Sequence, residues 1–266
     1  MTQRERCLWL IRRLMEEMPE FGEVEIPALP DHQGRLLRSL MNVRPPMRAS
    51  EEFLRVQDEY LRQMTEEKGV TEAGALPASA LDPRIALWQG DITTLRCDAI
   101  VKAANSQLLG CFSPCHGCID NMIHTMSGVQ LRWACQELMA AQGHEEPAGR
   151  AKITPGFNLP CRFVLHTVGP IVEGGLTREH ERLLASCYDS CLSLAEANGC
   201  RSVAFCCVST GVFMFPNRRA AEIAVETVRR YYQETGSQIQ TIFNVYKDLD
   251  REIYAELLEE KKSPIQ

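Results

Sequence analysis

The chain has 266 residues, with 29 Lys and Arg against 35 Asp and Glu, a formal charge of −6. That length suits one large domain, or a domain with an appendage, and can bury enough apolar surface to need no disulfide or metal for bulk stability. The acidic balance argues against nucleic-acid binding by broad phosphate neutralisation, and no apolar run approaches the roughly 18 residues of a membrane span.

In chain order, residues 1–75 read as a helical N-terminal extension. Residues 3–18 place Leu8, Ile11, Leu14 and Met15 at helical spacing. Residues 34–42 are a shorter candidate. Residues 50–67 put Phe53, Val56, Tyr60, Leu61 and Met64 on one stripe, with Ser50 as N-cap, Glu51 and Glu52 in the first turn and Gly69 beyond the end. Pro27, Pro30, Pro45 and Pro46 separate these helices, and TEAGALPASALDP (71–83) reads as a linker.

From residue 76 to 266 a second unit follows. Apolar, β-rich runs at 85–89, 98–104, 161–168, 202–208 and 239–246 alternate with helical stretches at about 119–142, 177–198, 217–235 and 248–262. That alternation predicts an α/β fold with a mostly parallel sheet covered on both faces. Ligands of such folds bind outside the carboxyl ends of the strands.

Twelve cysteines are unusual for this length. The opening MTQRERCLWLIRRLMEEM is charged and has no apolar signal region, so a reducing, cytoplasmic setting with free thiols is expected over a secreted disulfide scaffold. Cys161, Cys187, Cys191, Cys206 and Cys207 lie in apolar stretches and read as small buried hydrophobes. The segment after strand 98–104 is different. Cys111, Cys115, His116 and Cys118 fall within eight residues of a loop that also carries Gly and Pro. Thiolate and imidazole are the preferred zinc donors, and a polar loop is a poor place for core thiols. The spacing is not that of a closed zinc finger. Three ligands with an open fourth position is the catalytic pattern.

Two further strand ends stand out. Ser209-Thr-Gly-Val-Phe-Met-Phe215 is a small, hydroxylated turn entering a helix, suited to present backbone N–H groups to a phosphate. Asp91, after strand 85–89, is either an acceptor for a ligand amino group or a solvated turn aspartate.

Together these segments resemble the macrodomain family, the ADP-ribose-binding α/β/α module, over about residues 80–262. The resemblance rests on WQGDIT (88–93), KAANSQLLG (102–110), CIDNMIH (118–124), TPGFNLPCRFVLHTVGP (154–170) and STGVFMFP (209–216), in the family's order. Most macrodomain hydrolases carry a run of glycines where this chain has CFSPCHGC. That departure and the helical extension resemble the bacterial zinc-dependent macrodomains, which remove ADP-ribose from proteins. The resemblance implies a three-layer α/β/α sandwich with a mixed, mostly parallel sheet. It implies that Asp91 and Ile92 meet the adenine and that Asn105 faces the distal ribose. Ser209, Thr210, Gly211, Val212 and Phe213 would line the pyrophosphate, with Phe215 beside the ribose. Asp120 matches the catalytic aspartate, and Cys111, His116 and Cys118 match the zinc ligands, leaving Cys115 as a non-ligand.

The expected activity is therefore hydrolysis of the bond between a protein side chain and the distal ribose of mono-ADP-ribose. Asn105 and Asp120 would be the catalytic pair, with Zn²⁺ as cofactor. His124 and His166 read as structural. The resemblance also implies an ADP-ribosylated protein substrate, in microbial members a lipoyl-carrier protein, and a sirtuin-type ADP-ribosyltransferase as companion. Two other readings stay open: an ADP-ribose reader with a structural zinc, and a general nucleotide or phosphate-ester hydrolase.

Overall fold

The computed structural model describes residues 1–259. The extension forms three helices: α1 (Gln3–Glu17), α2 (Pro30–Val43) and α3 (Glu51–Lys68). Thr2 and Glu5 close a capping box on α1, and the Ser50 hydroxyl accepts from the Phe53 N–H at 3.1 Å to start α3. α2 begins four residues before the expected 34. Pro30, read as a breaker, occupies the first turn, where a missing N–H costs nothing. Leu10, Ile11, Leu14, Leu37, Leu40, Phe53, Val56 and Leu61 form the core of this unit, which also takes in Val129 from the next one.

The α/β unit contains β1 (Thr71–Glu72), β2 (Ile85–Gln89), β3 (Leu95–Arg96), β4 (Ala99–Ala104), α4 (Ile119–Ser127), α5 (Val129–Gln142), β5 (Ala151–Pro155), β6 (Phe163–Val168), α6 (Arg178–Ala197), β7 (Ser202–Phe205), α7 (Asn217–Thr235), β8 (Gln240–Val245) and α8 (Asp248–Leu258). The main sheet has the order β2-β8-β7-β4-β6-β5. All its pairs are parallel except β5–β6. This is the expected mixed, mostly parallel sheet flanked by helices in a three-layer α/β/α sandwich. α6, α7 and α8 pack in a row, while α4 and α5 form a separate pair that meets the N-terminal helices.

Three expectations are corrected. The single helix expected at 119–142 is two, because Gly128 sits at φ 99°, a conformation that breaks a helix. A Cβ there would also lie 2.5 Å from the side chains of Gln57 and Gln130. The 71–83 linker is partly structured: β1 pairs with β3, Ala73 enters the main core and Ser79 N–H donates to the Ile85 carbonyl at 2.7 Å. Strand β5 escaped the sequence reading. Its AKITP pattern is only partly apolar and ends in proline, which a strand at the edge of a sheet tolerates. Residues 260–262, expected to end the last helix, lie outside the described residues.

Candidate functional site

The parallel register brings the carboxyl ends of β2, β4, β7 and β8 to one edge of the sheet. Asn105 and Tyr246 follow two of those ends directly, Asp91 lies two residues beyond β2, and the 209–215 loop begins four residues beyond β7. The 209–215 loop is tightly fitted. Ser209 and Met214 hold positive φ values of 65° and 55°, and the Phe215 N–H donates to the Ser209 carbonyl at 3.0 Å. Gly169 sits under it, where a Cβ would fall 2.0 Å from the Ser209 hydroxyl. The Val172 N–H donates to the Phe213 carbonyl at 2.9 Å, tying this loop to the segment after β6. The Ser209 hydroxyl is buried and has no hydrogen-bond partner among the described residues. Gly211 and Val212 are exposed, Thr210 and Phe213 half-buried, and Phe215 is packed in the core.

Asp91 caps a short turn. Its Oδ1 accepts from the N–H and hydroxyl of Thr93, at 3.0 and 2.6 Å, and its Oδ2 pairs with Lys68 from the end of α3 at 3.0 Å. Burial alone would raise its pKa, but the bonds from Thr93 and the Lys68 charge outweigh that and hold it below the usual carboxylate range. The Ile92 side chain is in the core, so only its backbone can meet a ligand. The Asn105 Oδ1 accepts from the Gln107 N–H at 3.1 Å, which leaves its exposed amide NH₂ as the free donor. Tyr246, which the sequence reading passed over, is 80% exposed at the end of β8 and presents an open aromatic face.

The loop between β4 and α4 gathers the expected metal donors. The Sγ atoms of Cys111 and Cys118 and a ring nitrogen of His116 lie within 4.8 Å of one another. Two thiolates and a neutral imidazole suit zinc in charge and softness, and three donors leave a position for a fourth ligand. Cys118 also caps α4, accepting from the Asn121 N–H at 3.4 Å. Burial first, then the nearby Cys111 and Asp120, push its thiol up to about 11. Cys115 turns away. At φ 53° it aims its Sγ at α2, 3.2 Å from the Ser39 hydroxyl and 3.5 Å from the Arg35 carbonyl.

The loop is tied from two sides: within the α/β unit the Asn121 amide donates to the Ser113 carbonyl at 2.9 Å and the Cys111 carbonyl at 3.4 Å, and further bonds come from the N-terminal extension. Arg38 donates to the His116 carbonyl at 2.9 Å and to the Asn121 Oδ1 at 2.8 Å. The Asn42 Oδ1 accepts from the Cys115 N–H at 2.9 Å, while its amide donates to the Thr125 hydroxyl at 3.0 Å. Arg132, fully enclosed, donates to carbonyls of Leu109, Met41, Asn42 and Arg44 and so staples the loop's entry to the end of α2. Arg38, Ser39 and Asn42 were not singled out in the sequence, because a polar face on an amphipathic helix reads as solvated surface.

Asp120, in the first turn of α4, is buried against Lys102 of β4 and lies 3.6 Å from the His124 Nε2. His124 also touches Lys102 at 3.1 Å. Burial, then the charges of Lys102, Arg132 and His166, keep its pKa well below the ordinary histidine value. His166 is fully buried and shares a 2.8 Å hydrogen bond with the Thr154 hydroxyl, in keeping with a structural role.

Comparison with known proteins places the chain. The family profile described as Macro domain matches residues 101–224. The protein-ADP-ribose hydrolase of Treponema medium is 54% identical over 260 residues, covering 97% of this chain and 100% of that one. The chain belongs to the macrodomain family. The protein-ADP-ribose hydrolase of Staphylococcus aureus strain MSSA476 is 45% identical, with 96% of each chain covered. A Trypanosoma brucei macrodomain solved in complex with ADP-ribose superposes with a TM-score of 0.63 at 31% identity, covering 83% of this chain and 94% of that one. These matches extend from the cleft loops into the N-terminal helices, since the two hydrolases align over nearly the whole length.

Proposed function

We propose that this macrodomain hydrolyses the bond joining ADP-ribose to a mono-ADP-ribosylated protein, with zinc held by Cys111, His116 and Cys118. The observation that carries the reading is the three-donor cluster two residues before the buried carboxylate of Asp120, at the sheet edge that also bears the 209–215 loop. A module that only retained ADP-ribose would need neither. The names and full-length coverage of the hydrolases at 54% and 45% identity support it.

The roles follow from what each group has free. Tyr246 offers a face for the adenine, and Asp91 keeps a lone pair on Oδ2 for its amino group. The 209–213 backbone and the buried Ser209 hydroxyl receive the pyrophosphate. Binding energy from these remote contacts positions the distal ribose. The Asn105 amide donates to ribose hydroxyls. Cleavage builds positive charge on the ribose. The Asp120 carboxylate stabilises that charge and orients the attacking water or accepts its proton. Cys111, His116 and Cys118 would hold the zinc ion, which would supply Lewis acidity to the reaction. Thiols left unpaired at all twelve cysteines suit work in a reducing, cytoplasmic compartment. No helix among the described residues is long and apolar enough to cross a membrane.

The test is release of ADP-ribose from a mono-ADP-ribosylated protein, with and without a chelator. Release that stops on chelation and returns with zinc supports the reading. Tight ADP-ribose binding with no release points to a reader, and cleavage of free nucleotides without a protein acceptor points to a general hydrolase.

A further inference from the structure

Lys102 has no assigned part in the reaction, yet it is fully buried in the middle of a strand that is otherwise apolar. An ammonium taken out of water is costly unless it is paired and hydrogen-bonded. Its partners are two: the Asp120 Oδ1 and the His124 Nε2 at 3.1 Å. The His124 Nε2 lies within hydrogen-bond distance of the ammonium, and burial holds the imidazole's pKa well below its ordinary value. The next cation, Arg132, is spent on four backbone carbonyls. Lys102 is thus the sole cation paired with Asp120 among the described residues. It takes Oδ1, and no group in the described protein hydrogen-bonds Oδ2.

We propose that Lys102 is a positioning residue for hydrolysis: from the strand below, it fixes the Asp120 carboxylate with one oxygen tied down and the other free for the reacting centre. The inference rests on the hydrolase reading. It adds that Asp120 is oriented by β4 as well as by its own helix. A free aspartate turns about two side-chain torsions, and a displacement of about 1 Å at a reacting group can cost on the order of 10²-fold in rate. Lys102 removes that freedom without touching substrate.

A merely structural lysine, pinning α4 to the sheet, would make different predictions. The test compares Lys102→Met, Asp120→Asn and the double variant in the full, zinc-loaded chain. Lys102→Met is expected to lower kcat by on the order of 10²-fold, with KM and ADP-ribose affinity within about twofold. On the Asp120→Asn background the same change is expected to alter kcat by less than about threefold, because the group it acts through is already disabled. Lys102→Gln, which keeps an N–H donor toward Asp120, is expected to retain more rate than Lys102→Met. Equal losses on both backgrounds, or parallel losses of rate and ADP-ribose affinity, overturn the proposal.

Each single variant leaves one member of the buried pair without its partner and the double variant leaves neither, so thermal unfolding of all three, measured beside the kinetics, separates a folding defect from a loss of positioning. A second readout does not depend on turnover. Crystal structures should show one Asp120 rotamer in the wild type and a displaced or divided one in Lys102→Met or Lys102→Gln. An unchanged rotamer in the variants overturns the positioning role. A wild type that binds ADP-ribose but never releases it from protein overturns the hydrolase reading, and the rotamer still decides what Lys102 does.

Discussion

At the 209–215 end of the cleft, the loop is fastened by the α/β unit itself. It bonds to Val172 after β6, packs closely over Gly169, and leaves the sheet after β7. At the 111–118 end the loop runs between β4 and α4 with little regular structure of its own. Its outer ties run to Arg38, Ser39 and Asn42, all on α2 of the N-terminal extension. The 209–215 end, proposed for the nucleotide, is therefore fastened within the α/β unit, and the 111–118 end, proposed for the metal, is held by α4 and by α2 of the extension together. The lesson is that the extension is part of the site. Where a loop leaves a fold's own hydrogen-bonding pattern, something else must hold it, and α2 shares that task with α4.

If that division is right, damage at the metal end should spare nucleotide binding. The largest effect is expected from Cys118→Ala, which removes a donor and the cap of α4 together. Release of ADP-ribose from protein should fall by at least about 10²-fold, the scale for losing one electrostatic stabiliser. ADP-ribose affinity measured by calorimetry should stay within about twofold. A matching collapse of affinity would show that the two ends are one folding unit.

Asn42→Ala asks the same of the extension. Asn42 is buried and bridges the Cys115 N–H and the Thr125 hydroxyl. Its loss frees the loop at Cys115 while leaving every donor in place. Zinc affinity, read by competition with a chelator, should drop by about 10–100-fold, as for other groups that orient metal ligands. Arg38→Ala should act in the same direction and more weakly, since Arg38 is half-buried and water can replace part of its contacts. Unchanged zinc affinity in both variants would return the extension to a purely packing role.

The two ends also differed in how readable they were. The donors at 111–118 announced themselves because three thiols and an imidazole in a polar loop have few other uses. The sheet was legible where strands were continuously apolar, and it failed at β5, where a lysine and a proline on an edge strand hid the pattern. Helix 119–142 was read through Gly128 because both halves keep an apolar face, and only the backbone angle separates them. Lys102 was visible as a charge inside an apolar strand, and that mismatch alone could have flagged it. Its partners could not be read, since Asp120 and His124 meet it only once α4 docks on β4. The supports on α2 were hidden for the same reason: a contact across 80 residues of sequence has no local signature.

Gly169→Ala probes the end fastened within the α/β unit. The added Cβ would meet the Ser209 hydroxyl at 2.0 Å and a Val208 methyl at 2.9 Å, so the 209–215 loop must shift. Strain of this kind costs about 1–3 kcal/mol. If it falls on the bound state, ADP-ribose affinity drops by roughly tenfold for each 1.4 kcal/mol. Zinc affinity should not change. A variant that lost zinc instead would reverse the assignment of supports to the two ends.

The smallest effect concerns a contact of the extension with the Asp91 turn, the Lys68–Asp91 pair at 3.0 Å. Its partners are 36% and 31% exposed, so solvent screens the attraction to about 0.2–1 kcal/mol. Asp91 has a folded pKa held below its unfolded value of about 3.9. Its contribution to stability is therefore complete above that value and is lost as pH falls through the lower folded one. Asp91→Asn keeps an acceptor for Thr93 and loses the charge. The difference in Tm between it and the wild type should be constant from neutral pH to about 5 and shrink below about 4. Lys68→Met should lower ADP-ribose affinity by no more than about threefold, because the pair it breaks is screened. A larger loss than Asn42→Ala causes in zinc affinity would mean that the extension supports the adenine end first, and the contrast between the two ends would have to be redrawn.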